Sequence, residues 1–217
     1  MKKMLSLAAF GLGLVLYLVP AWAEVTAPAV PKTGKTLGAF VPTGWKILKQ
    51  AEGDLNKDSL PDTVLILASG VEDGDSEDRF DAPRPLLLLL KQTDGGYSLA
   101  GNYSNVVLCK MCGGVFGDPL EDLRIDRGTV VIKHYGGSSD RWGFTHKYRF
   151  QDGDWYLIGE TDLSHNSFTP LRDVTDHNLL TGDIVEEKTD KHGQKTIKKS
   201  KVPKAPLKKM GEVELPM

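Results

Sequence analysis

Residues 53–68 read Gly-Asp-Leu-Asn-Lys-Asp-Ser-Leu-Pro-Asp-Thr-Val-Leu-Ile-Leu-Ala, an acidic loop that runs straight into an apolar hexamer. Asp54, Asn56, Asp58 and Asp62 stand at positions one, three, five and nine of the loop, and Leu60 offers its carbonyl at position seven. A hard cation such as Ca²⁺ takes about six to eight oxygen ligands. This spacing is expected to supply them, and an ion there would offset the repulsion of three carboxylates. The hexamer that follows, TVLILA over residues 63–68, is short, apolar on both faces and bounded by turn residues. That is the pattern of a buried strand.

Outward from this point the chain reads as strand after strand. Residues 45–50 precede the loop. Residues 85–91 (PLLLLLK), 97–103, 123–126, 129–135, 142–150 and 155–160 follow. Turn signals separate them: Thr93-Asp94-Gly95-Gly96, Asp126-Arg127-Gly128 and Gln151-Asp152-Gly153-Asp154. Residues 146–150 alternate, with His146, Tyr148 and Phe150 on one face and Lys147 and Arg149 on the other. The leucine run has helical propensity, but Pro85 and its shortness favour a strand. The expected fold is all-β. It has two antiparallel meanders of four strands, over 45–103 and 121–160, joined by a connector over 109–119.

The ends differ from this centre. Residues 1–23 have a Lys2-Lys3 start, an apolar run over 5–19 and Ala21-Trp22-Ala23, which together read as a cleaved signal peptide. The expected compartment is periplasmic or secreted, with no transmembrane anchor after cleavage. Cleavage takes 23 residues and two lysines from the 217-residue chain, so 194 residues remain and the formal charge moves from −2 to −4. No global basic field invites nucleic acid. Residues 24–42, with Pro28, Pro31 and Pro42, read as a flexible lead-in to a β domain over 43–170. The remainder, 171–217, reads as a charged hairpin and tail. Within it an acidic arm (residues 181–188) faces a basic arm (195–202) across Asp190-Lys191-His192-Gly193. This hairpin is expected to add little to the core, so truncation after Leu180 should leave the unfolding midpoint unchanged. The lysines after residue 194 are either a solvated face or a patch for an anionic surface.

Cys109 and Cys112 are the only cysteines. In an oxidising compartment a disulfide is the default. Redox work, or zinc with His134 and His146, are the alternatives. Glu72, Asp73, Asp75, Glu77, Asp78 and Asp81 crowd one loop, which is solvated or a second cation site. No esterase, zinc-protease or phosphate-loop motif occurs. Asp140, Arg141 and His146 are the one set that would suit a hydrolase or carbohydrate-active enzyme.

The stretch 53–62 with its two flanking strands resembles the calcium loop of FG-GAP and VCBS-type repeats, whose pattern is close to D-x-[DN]-x-D-G-x-x-D. The resemblance implies Ca²⁺ held by Asp54, Asn56, Asp58, Asp62 and the Leu60 carbonyl. It also implies that each meander is a propeller-like blade, one or two in all. Where the pattern has Gly this chain has Ser59, at a turn that calls for positive φ. The expected function is an exported, calcium-stabilised binding or structural module for an envelope or extracellular ligand. An enzyme and a CxxC redox or metal protein are the alternatives.

Overall fold

In the computed structural model, residues 28–74 and 82–216 are described. The leader expected over 1–23 and most of the acidic stretch, residues 75–81, lie outside them. The fold is all-β, with 53% of the chain in strands forming two antiparallel sheets that do not close into a barrel. The first sheet holds β1 (Thr33–Gly34), β2 (Trp45–Gly53), β3 (Asp62–Ser69), β4 (Leu86–Lys91) and β5 (Tyr97–Tyr103), in the order β1-β5-β4-β3-β2. The second holds β6 (Leu120–Asp126), β7 (Thr129–Gly137), β8 (Asp140–Gln151), β9 (Asp154–Asn166), β10 (Arg172–Asn178), β11 (Asp183–Thr189) and β12 (Lys195–Lys201), as an unbroken meander. The sheets thus have five and seven strands where two groups of four were expected. Arg127-Gly128 and Asp152-Gly153 each carry positive φ at both residues, the backbone that matches strand twist in two-residue hairpins.

Residues facing between the sheets form the main core. Val64, Ile66, Leu86 and Leu88 meet Val130, Ile132, Tyr148, Trp155 and Leu157. The intervening residues of β3 and β4, namely Leu65, Leu67, Leu87 and Leu89, form a second cluster on the outer face of the first sheet. Phe40 covers that face and is fully buried, with Val30, Leu37 and Val41 packed around it. This corrects the reading of residues 24–42 as flexible: over the described part they pair through β1 and cap an apolar sheet face. Gly34 is needed here, because a Cβ would come within 2.8 Å of the Phe40 ring.

A buried ion cluster ties the sheets together. The Arg84 side chain has no exposure. Its Nε and Nη2 donate to Glu72 Oε1 and Oε2, both at 2.9 Å, and its Nη1 and Nη2 donate to Asp118 at 2.7 and 2.8 Å. Glu72 follows β3, Arg84 precedes β4 and Asp118 precedes β6. Burial pushes the Asp118 carboxyl up, but the Arg84 fork and the Leu120 N–H overcome it and hold it below its ordinary value.

The tail departs from expectation. β11 and β12 do pair with opposed charges, Lys198 with Glu186 and Lys201 with Asp183, both at 3.1 Å. Yet β10 pairs with β9 along its whole length, so the sheet runs through the boundary expected at 170/171. Beyond β12 the chain turns back, and the Leu157 N–H donates to the Lys208 carbonyl at 3.0 Å. Met210 is fully buried and Val213 is 5% exposed within the main core. Asn105 Nδ2 donates to the carbonyls of both, at 3.0 and 2.8 Å. Truncation after Leu180 would remove these core residues, so the expectation of an unchanged midpoint is withdrawn.

Two stability outcomes follow from this packing. Arg84→Met leaves two carboxylates without a counter-charge and should cost about 3–5 kcal/mol. Met210→Ala should cost about 2–5 kcal/mol, the range for truncating a buried side chain that leaves a cavity. Chemical denaturation of each variant measures both. A loss under about 0.5 kcal/mol, the ordinary surface value, would contradict the assignment.

Candidate functional site

The 54–62 loop joins β2 to β3 at the seam between the sheets, where Gly53 packs on Ile125 of β6. Lys57 and Ser59 stand at φ 66° and 69°, so Ser59 makes the turn that the repeat pattern gives to Gly. Left-handed backbone costs a non-glycine residue about 1–2 kcal/mol. Asp54 offsets this by accepting the N–H groups of both residues, at 2.6 and 3.0 Å. Asn56 accepts from the Asp58 N–H at 3.1 Å, and Asp58 accepts from the Leu60 N–H at 2.8 Å. Asp62 is fully buried and accepts from the Leu55 and Lys91 N–H groups, each at 2.8 Å.

Among the described residues no three His, Cys, Asp or Glu side chains gather as metal ligands. The loop carboxylates turn onto backbone N–H groups instead of onto one point. The chemistry of the donor set nevertheless fits a hard cation, being oxygen alone. Burial pushes the Asp62 carboxyl above its ordinary value. Its two backbone N–H groups oppose that, and the charges of Asp58 and Asp54 add to it.

Cys109 and Cys112 are disulfide-bonded, with Cα atoms 5.2 Å apart. They occupy a turn in which the Cys112 N–H donates to the Cys109 carbonyl at 3.2 Å. His134 does not approach as a zinc ligand. Its Nε2 accepts the Leu108 N–H at 3.2 Å, and its buried Nδ1 has no partner among the described residues. In the acidic loop, Glu72 belongs to the Arg84 cluster, and Asp73 pairs with Lys46 and Lys110.

Asp140, Arg141 and His146 do not converge. Five residues of strand separate Arg141 from His146, about 17 Å at the usual rise. Alternation sends the two side chains to opposite faces. His146 is buried, with Nδ1 3.2 Å from the Tyr148 hydroxyl.

His146 instead lines a cleft that no sequence spacing indicated. Cross-strand register places His146, Glu160 and His177 side by side on β8, β9 and β10. His177 Nδ1 lies 3.4 Å from Glu160 Oε1. The returning chain at residues 202–208 roofs them, enclosing about 300 Å³ with Leu157, Leu179 and Val213. Burial lowers the pKa of His146, with Glu160 opposing. No hydroxyl or thiol side chain lines the cleft. Its polar lining is imidazole, carboxylate and ammonium, from His146, His177, Glu160, Glu214, Lys204 and Lys208, which can bind and orient a polar group.

No family model matches the chain, and no curated protein and no solved structure is significantly similar to it.

Buried His134 should make the fold sensitive to acid. Burial, and then the nearby His146, lower His134 to about 3, against about 6.5 in an unfolded chain. The unfolded state therefore takes up the proton first. Stability is full above pH 6.5 and falls as pH drops from there toward 3. His134→Gln keeps an acceptor for Leu108 and should remove about 1.4 kcal/mol per pH unit of slope between about pH 5 and 6.5. Denaturation of both proteins across that range checks it, and equal slopes would contradict it.

Proposed function

We propose that this chain is an exported, calcium-stabilised β-rich binding module of the periplasm or extracellular space. The observation that carries the reading is the 54–62 loop. The Asp54 and Asp58 carboxylates and the Asn56 amide are folded back over a left-handed turn, beside a buried Asp62 whose carboxyl burial and the charges of Asp58 and Asp54 push up. Asp54, Asn56, Asp58, Asp62 and the Leu60 carbonyl would hold the ion. Bound Ca²⁺ would supply the missing positive charge at the seam between the sheets. The leader-like pattern of residues 1–23 supports export. Among the described residues no helix is long and apolar enough to cross a membrane. The enclosed cleft, lined by apolar side chains and a few polar groups, supports a binding role.

Thermal unfolding with and without Ca²⁺ tests the reading. An ion that binds only the folded state adds about 2.7 kcal/mol at a hundredfold excess over Kd. The midpoint should rise by several degrees in millimolar Ca²⁺, and Asp58→Ala should abolish the rise. An unchanged midpoint in the parent protein would remove calcium from the proposal.

A further inference from the structure

At the far end of the β7–β8 hairpin from the calcium loop, register lines up Arg141 of β8, His165 of β9 and Arg172 of β10 as one rung. Strand alternation puts the three on one face. Arg141 is held in place without a carboxylate. Its Nε donates to Ser167 Oγ at 2.8 Å, its Nη1 donates to Tyr135 Oη at 3.4 Å, and its guanidinium lies 4.4 Å over the Phe116 ring. Tyr135 Oη also bonds His165 Nε2 at 2.9 Å. The Tyr135 ring leans across Gly143 to do so, where a Cβ would lie 3.3 Å from it. Among the described residues Arg141 has no ion-pair partner, whereas Arg172 is shared with Glu187 at 3.3 Å. Arg141, His165 and Arg172 line a depression of about 270 Å³ together with Asp140 and Asp173, and Asp140 accepts from Asn166 Nδ2 at 2.6 Å.

Exposed apolar groups surround the rung. Phe168 is 85% exposed, Val115 78% and Leu171 46%. Their loops are fixed. The Val115 N–H donates to the Gly137 carbonyl at 3.2 Å, and the Ser167 N–H to the Ser139 carbonyl at 2.8 Å. A guanidinium braced by a hydroxyl pair and an aromatic face, with its outer edge open, is preorganised for a planar or tetrahedral oxyanion.

We propose that Arg141, with His165 and Arg172, forms an oxyanion-binding site for a phosphate or carboxylate group, and that Phe168, Val115 and Leu171 cover the apolar body carrying it. The site gives the binding-module reading a ligand chemistry, and it is separate from calcium. Its test titrates the full-length mature protein with inorganic phosphate, following the Arg141 Nε–H signal by NMR. A saturable shift with a Kd near about 1 mM is expected. Arg141→Gln should weaken binding, read from the His165 ring signals, at least about tenfold. Phosphate binding measured in the presence of a calcium chelator should be unchanged, so failure at the calcium loop is distinguishable from failure here. Arg172→Gln is a second variant should Arg141→Gln not fold, and a several-fold weaker affinity is expected. Co-sedimentation with phosphatidylglycerol vesicles, lost in Arg141→Gln, would assign the anion to a lipid headgroup. Phosphate binding without vesicle binding would assign it to a soluble ligand. No saturable shift, or equal affinity in the variants, would overturn the site.

Discussion

The structure depends on a buried guanidinium. Arg84 sits where three chain segments from two sheets must meet, and each of its two forks grips a different carboxylate. Removing such charges from water costs several kcal/mol per ion, so the cluster is a poor source of net stability. What it supplies is position. Glu72 lies in the connection from β3 to β4, and Asp118 leads into the second sheet. A planar fork matched to two carboxylates allows few relative placements of those segments. The apolar faces on either side are non-directional, so leucine against leucine would tolerate slippage that Arg84 does not.

That constraint explains why the first sheet is apolar on both faces. Once its inner side meets the second sheet, β3 and β4 still present Leu65, Leu67, Leu87 and Leu89 outward. An antiparallel sheet commonly leaves one face to water. Here Phe40 and its neighbours cover the second face. The doubly apolar pattern of residues 63–68 was legible as burial on both sides, but the covering segment was not. Pro28, Pro31 and Pro42 deny residues 28–42 a long strand, yet one aromatic ring and a two-residue bridge suffice to hold them.

The same division runs through the rest of the chain. The strands from β2 to β9 were readable because alternation and two-residue turns are local signals, and Arg127-Gly128 and Asp152-Gly153 do adopt the positive φ those turns require. β10 was missed because Arg172–Asn178 alternates polar with polar, and only Val174 marks it as apolar. The return of Met210 and Val213 to the core was missed because isolated apolar residues in a lysine-rich tail have no period. The 54–62 loop was legible as a set of oxygens, and the left-handed turn expected at Ser59 is present. What the spacing did not show is the backbone that Asp62 holds, its two oxygens accepting the N–H groups of Leu55 and of Lys91, the latter 29 residues away.

Sites assembled by register lie beyond local reading altogether. His146, Glu160 and His177 span 31 residues and become neighbours only because β8, β9 and β10 pair in one register. Arg141, His165 and Arg172 are brought together by the same two pairings. A one-residue slip of β9 would send Glu160 and His165 to the opposite faces and dissolve both rungs at once. The irregularity between Lys147 and Tyr148 sets that register, shifting Leu157 against Tyr148 while Glu160 stays against His146. A single bulge in one hairpin therefore fixes the His146–Glu160–His177 cleft on one face and the basic rung on the other. This chain's polar chemistry is legible in strand pairing rather than in motif spacing.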